Sequence, residues 1–230
     1  MVNIEENLVS IRKRIQEACF RAGRDPGTVK LIAVSKNFAV EEIQRAYLAG
    51  QTFFGENRVQ ELCAKIPQLP EEIEWHLIGT LQRNKVKYVL GKTALIHSVD
   101  SLALAEEISK QAAKKNMLIK VLLQVNIAGE ITKHGFSPPK IIEQIKEIGK
   151  LSGIKIEGLM TLAPKVTQLE EVRPFFRELK RLAQTIETMQ IPTVEMKELS
   201  MGMSEDFEVA VEEGATIVRI GSGIFGQRNY

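Results

Sequence analysis

Cysteine is nearly missing from this chain, with two in 230 residues, Cys19 and Cys63. They lie far apart, each on the apolar face of a predicted helix, so neither a disulfide framework nor a metal-ligand spacing is present. The three histidines, His76, His97 and His134, are equally isolated, and no zinc site is expected. Charge of one sign is not in excess. The net value of +2 is too small to argue for nucleic acid or a membrane surface. Arg83, Lys85 and Lys87 are basic neighbours, read as a solvated face at the start of a helix. No apolar run approaches the length of a membrane span. The N-terminus, MVNIEENLVSIRKR, carries acids where a signal peptide needs an apolar core. These absences lead to the expectation of a reduced, cytoplasmic protein with no metal, nucleic-acid or membrane partner. No composition break or linker divides the chain, so one domain is expected over residues 1–230.

What is present has a regular rhythm. Residues 31–36 (LIAVSK) form a short apolar run, the pattern of a buried parallel strand, and an acidic amphipathic helix follows. Seven further strand-like stretches recur: TFFGEN (52–57), EWHLIGTL (74–81), ALIHSVD (94–100), KVLLQVNI (120–127), IKIEGLMTLA (154–163), KELSMGMS (197–204) and TIVRIGSGIFG (216–226), the last two taken with their loops. Helical periodicity separates them. One extra helix, residues 3–22, precedes the first, with Asn3 as its cap and Gly23 at its end. Pro138 and Pro139 are read as loop, and Pro174 as the first turn of a long helix. Ser204, Glu205 and Asp206 read as an N-cap and an acidic first turn.

Eight strand–helix units in strict alternation predict an α/β fold, a TIM (β/α)8 barrel with an extra N-terminal helix. A doubly wound open sheet is the alternative. It is disfavoured because no G-x-G-x-x-G follows the first strand. Strand parity agrees with a barrel. In strand five, Val121, Leu123 and Val125 share the face expected against helices, and Leu122, Gln124 and Asn126 share the inward one. In strand eight, Arg219 points inward with Ile217 and Gly221, and needs an acceptor that nothing nearby in the sequence supplies.

Barrels keep their chemistry at the C-terminal ends of the strands. Lys36 ends strand one, Ser200 ends strand seven, and Gly221-Ser222-Gly223 follow strand eight. The loops after strands seven and eight are the recurrent phosphate site of such barrels. Glycine N–H groups form a nest for an anion there, and the Ser200 and Ser222 hydroxyls can donate too. The plain alternatives are a solvated lysine and a glycine-rich turn that merely closes the barrel. Strands one and eight are neighbours in a closed barrel, so an amine and a phosphate grip stand within one cofactor's length. A phosphorylated aldehyde spanning them suggests pyridoxal 5′-phosphate, held as a Schiff base. Arg219 then meets the pyridine nitrogen. An arginine only donates, so it favours the unprotonated ring and weakens the ring as an electron sink.

The stretches AVSK, FGENRVQE, WHLIGTLQRNK, EGLMT and LSMGMSEDFEVAVEEGATIVRIGSGIFG follow one another across nearly the whole chain. In this order they closely resemble the motifs of the pyridoxal-phosphate homeostasis protein family. That family in turn resembles the barrel domain of alanine racemase and is called fold type III. The resemblance implies that Lys36 forms the aldimine, that Arg219 meets the pyridine nitrogen, and that Ser200, Gly221 and Ser222 hold the phosphate. It places Asn57 of the FGEN motif beside the cofactor, although a strand-end turn asparagine accounts for Asn57 equally well. Thr80, where proline is usual, and QRNK, where QSNK is more common, are small departures.

Two functions are weighed. One is a carrier that binds pyridoxal phosphate, buffers it and delivers it to apo-enzymes without robust catalysis. The other is an amino-acid racemase, which needs a second acid–base group on the opposite ring face. Tyr47 and Tyr88 fall on predicted helices and Tyr230 at the terminus, so none is an obvious opposing base, and the carrier is preferred. A Schiff-base aldolase is a distant third, because it accounts for neither Arg219 nor the motifs. The expected state is a monomer or a weak homodimer. In the loop of residues 128–139, two glycines suggest mobility, and Lys133 is read as an amine able to approach the aldimine and assist release, with a solvated loop lysine as the plain alternative.

Overall fold

The computed structural model describes residues 2–130 and 132–227. Tyr230 lies outside these residues. Helix α1 (Ile4–Arg21) opens the chain, and the Asn3 side chain accepts the Glu6 N–H at its start. Gly23, at φ 63°, ends it in the left-handed conformation, with Arg24 N–H donating back to Cys19 O.

The eight strand–helix units then run β1 (Lys30–Val34), α2 (Val40–Leu48), β2 (Phe53–Glu56), α3 (Val59–Lys65), β3 (Glu74–Leu77), α4 (Val86–Val89), β4 (Leu95–Val99) and α5 (Leu102–Ala113). They continue with β5 (Ile119–Gln124), α6 (Pro138–Ile148), β6 (Ile154–Met160), α7 (Arg173–Glu187), β7 (Val194–Ser200), α8 (Phe207–Glu212), β8 (Ile217–Ile220) and α9 (Ser222–Phe225). All strands are parallel and pair in chain order, and β8 returns to β1 to close the barrel. The expected α/β barrel with its extra N-terminal helix is what the chain forms.

Parity sorts the apolar residues into two clusters. Ile32, Leu95, Leu122, Met160 and Ile217 fill the barrel, with Phe53 packed against them. Outward residues, among them Leu31, Ala33, Val121, Leu123, Val125, Val218 and Ile220, form the larger core under the helices. Each fully buried Leu or Ile side chain contributes roughly 1.5–3 kcal/mol. Helix α1 lies over the seam where β8 meets β1. Its Asn7 side chain donates to Ile224 O, Arg12 donates to Gly50 O, and Arg14 pairs with Glu208.

Several boundaries differ from the expected ones. Pro138 and Pro139 begin α6 rather than preceding it, because the first turn of a helix needs no N–H there. The basic helix after β3 is a 3₁₀ turn, Arg83–Lys85, followed by the four residues of α4. The glycine loop after β8 winds into α9. Asp206, not Ser204, stands at the cap of α8. The loop after β5 is tied at both ends. Phe136 N–H donates to Gln124 O, Asn126 N–H donates to Phe136 O, and the Asn126 side chain donates to Glu130 O. The polar residues expected to point into the mouth therefore hold this loop down.

Candidate functional site

The site is built on the β1–β8 seam. Ile32 pairs with Arg219 and Ala33 with Ile220, so Val34 and Gly221 follow side by side at the C-terminal end. A Cβ on Gly221 would stand 3.4 Å from both the Val34 Cβ and the Val34 carbonyl oxygen. The glycine thus brings the β8 loop flush against β1, and half-buried Lys36 sits two residues beyond Val34.

Ser222 projects from this loop into a group the sequence reading missed. The Ser204 hydroxyl oxygen lies 3.1 Å from the Ser222 hydroxyl and accepts the Gly223 N–H at 3.3 Å. Asp206, the cap residue of α8, accepts the Met203 N–H at 2.5 Å. The SMGMS stretch held the signal, since Ser204 falls in a loop already expected to grip an anion. Its attraction as a helix cap diverted it.

Ser200 is placed differently. It is fully buried, and its hydroxyl joins a polar chain inside the barrel. Arg219 Nη1 donates to Ser200 Oγ at 2.5 Å, and Nη2 donates to Thr161 O at 2.9 Å. These are the acceptors that an inward arginine required. His97 Nδ1 lies 2.9 Å from Ser200 Oγ, and His97 Nε2 lies 2.8 Å from His76 Nδ1. Arginine only donates, so Ser200 accepts from it, and His97 bonds to the same hydroxyl. His97 continues to His76, whose Nε2 ends the chain buried and without a partner among the described residues. Burial lowers the His76 pKa to about 3, with help from the Lys30 charge. Burial first, then His76 and Arg219, push His97 well below its ordinary value. Both rings are therefore neutral. Burial also lowers Arg219 to about 10, opposed by Asp206, so the guanidinium stays charged at neutral pH. Period-2 parity through ALIHSVD and EWHLIGTL places both histidines inward with Leu95. Reading them only as absent metal ligands missed this.

Asn57 follows β2 and lines a cavity of about 480 Å³ with Arg58, Thr80 and Lys85. Gly79 lets β3 pass this turn, because a Cβ there would stand 2.4 Å from Asn57 O. The structure thus brings Lys36, Gly221 and Ser222 to one rim of the barrel and Arg219 and Ser200 into the interior beneath it, with Asn57 at the end of the neighbouring strand. Tyr47 lies on α2, its hydroxyl 3.5 Å from Glu72, and Tyr88 lies half-exposed on α4 beside Lys85 and Lys87. Among the described residues, no cluster suited to a metal ion is found, and no helix is long and apolar enough to cross a membrane.

Comparison with known proteins agrees with this architecture. The family described as alanine racemase, N-terminal domain, matches residues 4–229. The pyridoxal phosphate homeostasis protein of Aquifex aeolicus is 47% identical over the full length of both chains, and that of Vibrio alginolyticus is 39% identical over the same extent. PipY of Synechococcus elongatus, solved with pyridoxal phosphate bound, is 38% identical with a TM-score of 0.84, covering 97% of this chain and 100% of its own. An alanine racemase of Clostridium difficile shares the fold at 17% identity and a TM-score of 0.76, with 99% of this chain matching 57% of that one. At 47% identity over its whole length, the chain belongs to the pyridoxal phosphate homeostasis protein family, whose barrel is the fold type III barrel of alanine racemase.

Proposed function

We propose that this protein binds pyridoxal 5′-phosphate and serves its intracellular homeostasis, by buffering and delivery rather than by turnover. The observation that carries this reading is the seating of Gly221 against Val34, which puts the β8 loop beside the strand end that leads into Lys36. The residues present fit the cofactor. Gly221, Ser222 and the added Ser204 offer N–H and hydroxyl groups to a phosphate. The charged Arg219 would offer N–H bonds to a ring nitrogen, and Asn57 stands at the next strand end. When bound, the cofactor would supply an aldehyde, and Lys36 would hold it through its amine.

In this reading Ser200 acts on the cofactor through Arg219, and the phosphate falls to Ser204, Gly221 and Ser222. The whole chain, residues 1–230, is one cofactor-binding domain, acting as a monomer or weak homodimer in the cytoplasm. Recipients are pyridoxal-phosphate-dependent apo-enzymes. Lys133 assists release. Racemization is the alternative, and it lacks an opposing base in Tyr47 or Tyr88, which sit on the covering helices.

The test is a spectroscopic titration with pyridoxal 5′-phosphate followed by transfer to an apo-enzyme. A saturable visible band, and recovery of the acceptor's activity, are expected. Absence of the band, or racemization at enzyme-like rates abolished by Lys36→Ala, would overturn the reading.

A further inference from the structure

On the β2 side of β1 lies a buried ionic cluster, outside the groups the proposed function uses. Lys65, the last residue of α3, is 6% exposed. Its ammonium donates to Ser35 O at 2.7 Å, to Glu56 Oε1 at 2.7 Å and to Glu61 Oε1 at 2.6 Å. Its three protons are thereby used. Ser35 Oγ also donates to Glu56 Oε1, and Asn37 N–H donates to Glu61 Oε1 at 2.6 Å. One ammonium and its two carboxylates therefore hold the peptide plane before Lys36 by its carbonyl and the plane after it by its N–H. Between two held planes only the φ and ψ of Lys36 remain soft.

We infer that Lys65, through Ser35 and Glu61, is the positioning residue for Lys36, fixing the angle at which its amine meets a carbonyl. The inference rests on Lys36 being the attachment site. Stability alone accounts poorly for the cluster. A buried ion pair is a weak stabiliser compared with apolar residues of the same volume. Glu56 Oε2 is also left buried with no hydrogen-bond partner among the described residues, a further cost. Burial pushes the Glu56 carboxyl up, against the pull of Lys65 and Ser35. What the cluster supplies is geometry at the two peptides that flank Lys36. Attachment of an amine to a carbonyl is steeply sensitive to such geometry.

The experiment compares pyridoxal 5′-phosphate with pyridoxine 5′-phosphate, which carries the same phosphate and ring nitrogen but no aldehyde. Wild type, Lys65→Met, Glu61→Ala and Lys36→Ala are tested for affinity toward both and for the rate of covalent attachment. The rate in Lys65→Met is expected to fall by about tenfold to a hundredfold, with affinity for pyridoxine 5′-phosphate unchanged. Glu61→Ala, which removes only the partly exposed arm of the clamp, should lower the rate severalfold in the same pattern. It decides the matter if Lys65→Met does not fold. Wild-type rates in a folded Lys65→Met or in Glu61→Ala would overturn the inference, as would equal losses for both ligands. Attachment that survives in Lys36→Ala would instead overturn the assignment of Lys36, and is read separately.

Discussion

Arg219 and Ser200 are bonded across the interior of the barrel, guanidinium to hydroxyl at 2.5 Å, beneath the rim that carries Lys36. The contact joins strand β8 to the end of β7 and continues through His97 to His76. It fixes the buried guanidinium that the proposed reading assigns to a ring nitrogen. Replacing Arg219 by alanine removes a charged hydrogen bond, worth about 1.5–3 kcal/mol. Affinity for pyridoxal 5′-phosphate in Arg219→Ala is expected to fall by roughly tenfold to a hundredfold, with the barrel still folded by circular dichroism. Wild-type affinity and an unchanged absorption spectrum would remove Arg219 from the site.

The two serines of the SMGMS stretch should separate by what they disturb. Ser204 lies beside Ser222 and Gly223 at the rim, while Ser200 is sealed within. Ser204→Ala is expected to weaken pyridoxal 5′-phosphate severalfold and leave unphosphorylated pyridoxal unaffected. Ser200→Ala leaves His97 and an Arg219 N–H without their partner. It should therefore lower unfolding stability by about 1–3 kcal/mol. Equilibrium titrations and urea melts of the two variants check both statements, and the reverse pattern would return the phosphate to Ser200.

The fold was legible because two periods agree along the chain. Alternation in KVLLQVNI and TIVRI separates Leu122 and Ile217 from Val121 and Val218, and the structure keeps that division. The boundaries were harder to place. Pro138 and Pro139 are as compatible with a first helical turn as with a loop, and tertiary contacts choose. The placement of Arg219 was legible because it breaks the apolar pattern of β8, and that of Lys36 and Gly221 because they follow the ends of β1 and β8. Lys65 was not, because a lysine at a helix end is ordinarily solvated. Its burial depends on Ser35, Glu56 and Glu61 meeting from two strand ends and a helix. Gly158 of the EGLMT stretch shows how a motif can serve the sheet. At φ 152°, a Cβ there would stand within van der Waals overlap of Glu198 O, so this glycine lets β6 and β7 approach.

Acid should destabilise the barrel earlier than its carboxylates require. His76 titrates at about 3 when folded, against 6.5 for an ordinary histidine, and His97 shifts the same way. Arg219 and Lys30 face them and add to the shift. Between those pH values the unfolded chain binds more protons. Stability is then complete above pH 6.5 and is lost as pH falls through that window. Urea midpoints measured from about pH 7.5 to about pH 4 should fall steadily, and His76→Leu should flatten the curve. A flat wild-type profile would contradict neutral buried histidines.

Release is checked at Lys133. Its amine donates to Glu130 Oε1 at 2.8 Å and to Ala163 O at 3.2 Å, which holds it at the end of β6 on the barrel mouth. Transfer from loaded protein to an apo-enzyme should be severalfold slower in Lys133→Ala at unchanged affinity. Equal rates would make Lys133 a surface residue with no part in release.

The central claim is that Lys36, two residues past the β1 end that Gly221 packs against, is where the cofactor is attached. Borohydride reduction of the pyridoxal-phosphate-loaded protein, followed by peptide mapping with mass spectrometry, tests it most directly. The account predicts the phosphopyridoxyl group on the peptide containing Lys36, and loss of the visible band in Lys36→Ala. A modification found principally on another lysine, Lys133 included, would contradict it.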